Sequence, residues 1–184
     1  MADGYSFYRL YGDTAAEEYV RPVHKLYQQL ERGCARSEFQ FLNHEKLEVS
    51  LDEGGGLDFP DFLYYEQIPL VSDALYRFFS DSGVDNLFYK PIYLNDEIIG
   101  VRKRYWLALP PRIRCLNYEA SQFRDSDVPL KRAEKIVINP AKVGNYRIFC
   151  VEEVINRDII ITQELKEKLE KAQFTNLLFE IMED

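Results

Sequence analysis

Two stretches of this chain, 90 positions apart, carry the same alternation of apolar and polar residues. Residues 71–93 read VSDALYRFFSDSGVDNLFYKPIY and residues 161–179 read ITQELKEKLEKAQFTNLLF. Val71 aligns with Ile161, Ser72 with Thr162, Leu75 with Leu165, Phe79 with Leu169 and Val84 with Phe174. Asn86-Leu87 then meets Asn176-Leu177, and Tyr89 meets Phe179. Each stretch opens on a hydroxyl residue suited to cap a helix, followed by an acid, Asp73 or Glu164, that favours the positive end of the helix dipole. Leu75, Phe78, Phe79 and Ser82 predict the buried face of the first helix, and Gly83 its end. Leu165, Leu169 and Ala172 predict the buried face of the second. Glu164–Lys168 and Glu167–Lys171 are i,i+4 pairs worth about 0.3 kcal/mol each.

Elsewhere the apolar period is two, or the apolar run is short. The aromatic run Tyr5, Phe7, Tyr8, Leu10 and Tyr11 predicts a first strand, stopped by Gly12-Asp13. Residues 14–19 read as a loose helical turn. Pro22 predicts the start of a firmer helix, with Val23, Leu26, Tyr27 and Leu30 at helical spacing and Gly33 as its stop. Leu47, Val49 and Leu51 alternate with polar residues as a half-buried strand. Phe59, Phe62, Leu63, Tyr64 and Tyr65 form a core-bound block, with Pro60 and Pro69 limiting regular structure around it. Strands are further predicted over 87–93, 98–101 and 105–109, with a polar turn at 94–97. Others fall at 113–116, 136–138, 146–151 and 176–182, with 117–127 a polar connection. These elements make an α+β fold with a mixed or mainly antiparallel sheet and two pseudo-repeated helix–strand units. A length of 184 residues suits a single domain, or two small halves sharing one core; the chain reads as one domain, 1–184, whose variable part is 1–46 and whose core is 47–184.

Composition narrows the function classes. Hydrophobic residues make up 46% and aromatics 14%, enough for a packed interior. No apolar run reaches the length of a membrane span, and the first residues lack a secretory signal pattern. Cys34, Cys115 and Cys150 are an odd, widely spaced set and read as buried thiols of a cytoplasmic protein. The net charge of −8 is uneven: residues 1–66 hold 13 acids against 6 bases, and residues 97–135 hold 5 acids against 9 bases. Such a chain repels nucleic acid as a whole and steers a basic protein partner toward its acidic part. Arg102-Lys103-Arg104 beside Tyr105 and Trp106 has the makings of a nucleic-acid stack, but a solvated strand end outweighs that reading.

No catalytic pattern stands out. His24 and His44 lack metal-ligand spacing, and no cofactor or metal signature is present. Gly54-Gly55-Gly56 lacks the Lys-Ser/Thr pair of a phosphate loop and reads as a flexible turn. The carboxylate pairs Asp58/Asp61 and Glu152/Glu153 are the places where hydrolase chemistry would sit.

The stretch LDFPDFLYYEQIPLVSDALYRFFSDSGVDNLFYKPIYL resembles a bacterial immunity protein family, the eleventh of its kind, formerly a domain of unknown function of polymorphic toxin systems. KIVINPAKVGNYRIFCVEEVINRDIIITQELKEKLEKAQFTNLLFEI resembles its closing strand, turn, strand, capped helix and strand. YWLALPPRIRCLNYEASQF resembles its central aromatic strand. The resemblance runs from about residue 47 to the end and implies a protein that neutralises a cognate toxin by binding it, with no catalytic residues to carry over. For the partner-binding surface, the acid-rich first third and the loop around Asp52, Glu53, Asp58 and Asp61, with Tyr64 and Tyr65, are the favoured residues. The alternatives are an adaptor that buries an apolar patch in a homodimer and a carboxylate-based hydrolase.

Overall fold

A computed structural model of the chain describes residues 6–23, 47–65, 68–97, 99–124 and 131–182. It resolves into two compact units, one of residues 12–109 with 174–177 and one of residues 1–11, 110–173 and 178–184. Each unit holds a five-stranded sheet.

The 12–109 unit is built from β2 (Leu47–Ser50), β3 (Phe62–Tyr65), β4 (Ile68–Val71), β5 (Phe88–Asp96) and β6 (Val101–Leu109). Their order is β2-β5-β6-β4-β3, parallel between β2 and β5 and antiparallel elsewhere. One face closes a core of Leu47, Val49, Leu63, Ile68, Leu70, Ile92, Leu94, Tyr105 and Leu107. Helix α1 (Asp73–Asp81) follows β4 and buries Leu75 and Phe79. Ser72 caps it by accepting the Leu75 N–H, and Gly83 ends it in the left-handed region at φ 73°.

The 110–173 unit contains β1 (Phe7–Tyr11), β7 (Arg112–Ile113), β10 (Ile148–Val151), β11 (Ile159–Thr162) and β12 (Leu178–Ile181), in the order β12-β1-β11-β10-β7. The β7–β10 pair is parallel and the others antiparallel. A two-stranded sheet of β8 (Gln122–Phe123) and β9 (Ala133–Lys135) lies in the same unit. Helix α2 (Gln163–Ala172) buries Leu165 and Leu169 and is capped by Thr162. In both sheets the strand before the helix and the strand after it flank a third strand antiparallel to both: β6 lies between β4 and β5, and β1 between β11 and β12.

The aligned caps and core positions thus take corresponding local roles. Gln173, 90 positions after Gly83, also adopts a left-handed conformation, at φ 55°. Beyond the helices the stretches diverge: β5 is a nine-residue inner strand, whereas β12 is a four-residue edge strand. Ala172 is exposed and lies outside the buried face.

Several boundaries differ from the sequence expectation. Residues 94–96 continue β5, because Leu94 keeps the inward alternation and is fully buried. The turn falls later, where the Asp96 carboxylate accepts the Ile99 N–H at 3.1 Å. Pro69 lies inside β4, opposite Tyr64; pairing with β6 begins only at Leu70, so the missing proline N–H costs no ladder bond there. The chain bends at 14–15 and turns at 17–18 without a helix, and Tyr19 bridges to Asp58. Pro22 bridges Leu51 in extended backbone, so no helix begins there. The strand expected at 136–138 is instead β9, with Ile138 bridging Leu116. The remaining helical positions after Val23, together with His24, Cys34 and His44, lie outside the described residues.

Candidate interaction surface

The acidic loop 52–58 is fastened to the segment 18–21, both in the 12–109 unit. Leu51 N–H donates to the Asn95 carbonyl at 2.9 Å as β2 ends, and Asp52 N–H then donates to the Arg21 carbonyl at 2.8 Å. The Asp52 carboxylate accepts the Gly54 N–H at 3.0 Å, closing a tight turn over two residues. Gly56 N–H reaches the Tyr19 carbonyl, Asp58 N–H the Glu18 carbonyl, and Val20 N–H the Asp58 carbonyl, each at 2.9 Å.

The glycines have a steric role. A Cβ on Gly56 would lie 2.0 Å from the Glu18 carbonyl carbon and oxygen, and one on Gly55 would lie 2.9 Å from the Arg21 nitrogen. Close backbone approach, more than flexibility, requires glycine at 56.

This stitching collects charge from two separated parts of the chain. Exposed Asp52, Glu53 and Asp58 are joined by exposed Glu17 and Glu18. Tyr19 between them has its hydroxyl pKa raised, first by burial and then by the charges of Glu18, Asp58 and Asp13. Leu57, at 72% exposure, projects from the loop as an apolar group among carboxylates. The sequence marks Glu17 and Glu18 only as part of the acid-rich first third; they lie some forty positions before Asp58, and no local spacing links them to it.

The other expected residues separate from this group. Asp61 Oδ1 accepts the Ser72 hydroxyl at 2.7 Å, and Oδ2 accepts the Thr175 N–H at 3.0 Å, so this carboxylate ties scaffold elements together. Tyr64 is half-buried on β3, stacked with Phe62 at 6.1 Å between ring centroids. The Tyr65 side chain lies outside the described atoms.

A second surface of the same unit has different chemistry. Alternation along β6 puts Arg102, Arg104 and Trp106 on the face that α1 covers in part, while Tyr105 is buried on the other face and donates its hydroxyl to the Pro60 carbonyl at 2.5 Å. Asp73 receives Arg104 Nε at 3.1 Å and Nη2 at 2.8 Å, and the Trp106 indole N–H at 2.6 Å. The Arg104 hydrogen bond, aided by Trp106 and Arg77, holds the Asp73 carboxyl below its ordinary pKa of 3.8 against the opposing effect of burial. Tyr76 of α1 stacks on Trp106 at 4.4 Å, and Arg102 lies 4.0 Å over the Tyr93 ring while bonding Glu48 at 2.7 Å.

In the 110–173 unit, Glu152 bonds Arg114 at 3.2 Å and Glu153 accepts the Leu116 N–H at 3.3 Å. Cys115 and Cys150 are buried, and burial pushes both thiols up to about 12. Among the described residues no group of three or more His, Cys, Asp or Glu is placed to hold a metal, and no helix is long and apolar enough to cross a membrane. The immunity protein family Imm11 matches the chain over residues 13–184. That match starts ahead of residue 47, where the sequence resemblance starts, and takes in Glu17 and Glu18. No curated protein matches the chain.

Proposed function

Because the chain belongs to the Imm11 immunity protein family, we propose that it binds a cognate bacterial toxin stoichiometrically in the cytoplasm of the producing cell and neutralises it. Binding either occludes the toxin's active site or locks the toxin inactive. The observation that carries this reading is the assembled acidic surface, Asp52, Glu53 and Asp58 with Glu17 and Glu18 around exposed Leu57. Such a surface steers a positively charged partner and gives it one apolar contact. The stretches 71–93 and 161–179 serve as scaffold, two copies of one strand–helix–strand unit. Asp61 also belongs with the scaffold, since its carboxylate is engaged by Ser72 and Thr175.

The test is the neighbouring gene. A toxin domain encoded beside this chain should kill cells when expressed alone and be tolerated when co-expressed with it. The same pair should co-purify at a fixed ratio, and Asp52→Lys with Glu53→Lys should weaken that complex. Cell death undiminished by co-expression would overturn the immunity reading.

A further inference from the structure

The second surface of the 12–109 unit is more organised than a solvated strand end requires. Tyr76, Tyr93, Arg102, Arg104 and Trp106 are of the three residue types that dominate binding energy at protein interfaces. Stacking and ion pairs already hold them: Tyr76 on Trp106, Arg102 over Tyr93, and Arg104 forked onto Asp73. Docking on such a platform immobilises few further rotamers, which lowers its entropic cost. The Arg102 and Arg104 side chains nevertheless remain 47% and 44% exposed.

We propose that this platform docks the acidic, Leu57-tipped loop 52–58 of a second copy of the chain. Complementarity argues for that occupant. The platform offers guanidinium groups, which donate to carboxylates in forked geometry, beside aromatic rings that can cover an apolar side chain. The loop offers Asp52 and Glu53 carboxylates beside Leu57, which is 72% exposed. Nucleic acid fits less well, because its affinity comes from neutralising several phosphates, whereas Glu48 and Asp73 already take part of each guanidinium and leave room for one or two carboxylates. Loop and platform belong to one unit, so a two-fold dimer makes the contact twice, each copy giving its loop and receiving the other's. Such a dimer covers the loop, making self-association and toxin binding mutually exclusive. Only that last consequence rests on the proposed function; self-association itself does not.

Sedimentation velocity of the purified full chain tests the proposal without any toxin. The expected result is a concentration-dependent dimer between about 1 and 100 µM, weakened about tenfold when salt rises from about 50 to 500 mM. Asp52→Lys with Glu53→Lys, both on an exposed loop, should abolish it. Adding Arg102→Glu and Arg104→Glu to the same chain should restore it, with thermal melting as the control for folding. A monomer at every concentration would overturn the proposal, as would a dimer indifferent to the loop reversals. A folded quadruple variant that stays monomeric would remove the platform as the docking surface. Binding of a labelled single-stranded oligonucleotide in place of a dimer would reassign it to nucleic acid.

Discussion

Asp61 and Thr175, 114 residues apart, exchange hydrogen bonds: the Asp61 N–H donates to Thr175 Oγ1 at 2.7 Å, and Asp61 Oδ2 accepts the Thr175 N–H at 3.0 Å. The other carboxylate oxygen takes the hydroxyl of Ser72, the residue that caps α1. Asp61 therefore joins the start of β3, the helix cap and the turn before β12.

Asp61→Ala should destabilise the protein by about 2 kcal/mol, since it leaves several donors of a charge-assisted network without their acceptor. Asp52→Asn, on the exposed loop, should change stability by less than about 0.5 kcal/mol. Urea midpoints of the two variants distinguish the scaffold acid from the surface acid.

Gly56→Ala should cost more than about 2 kcal/mol, because its methyl group would meet the Glu18 carbonyl at 2.0 Å and part the loop from segment 18–21. Gly54→Ala should be well tolerated, its nearest neighbour being the Asp52 carboxylate at 3.6 Å. Thermal melting of both variants checks the contrast.

Leu75→Ala and Leu165→Ala should each cost about 2–5 kcal/mol, since both side chains are fully buried beneath capped helices. Denaturant titration reads the loss. A Leu75→Ala variant of undiminished stability that no longer binds its partner would move this helix from scaffold to interface.

The Asp73 pKa is lowered on folding, chiefly by Arg104. A depressed carboxylate contributes stability that is fully present above the unfolded value and is lost as pH falls through the folded value. Wild type should therefore exceed Asp73→Asn in stability at neutral pH, with the gap closing as pH falls below 3.8. Urea unfolding at stepped pH measures the gap, and a constant difference down to pH 2 (about two units below the ordinary Asp value) would contradict the assignment.

The candidate surface was legible only in part. Asp52, Glu53 and Asp58 stand out in the sequence because they crowd a glycine turn after a strand that alternates clearly. Glu17 and Glu18 gave no such signal, since backbone hydrogen bonds from Asp58 and Gly56 bring them to the loop. Arg102-Lys103-Arg104 reads as a basic strand end because a consecutive triplet between two short strands does not show that one strand, β6, sets Arg102, Arg104 and Trp106 on a common face. Asp73, Tyr76 and Tyr93 reach it from α1 and β5.

Local physics is sufficient for the Ser72 and Thr162 caps, the buried leucines below them, and the alternation of β2, because each depends on residues within one or two turns or one strand. The family, too, is carried by the order of residues alone. Tertiary structure decided which acids are scaffold and which are surface, why position 56 must be glycine, and where β5 ends. Each of those depends on a partner distant in the chain, and a carboxylate or a glycine looks the same in sequence whether that partner is present or absent.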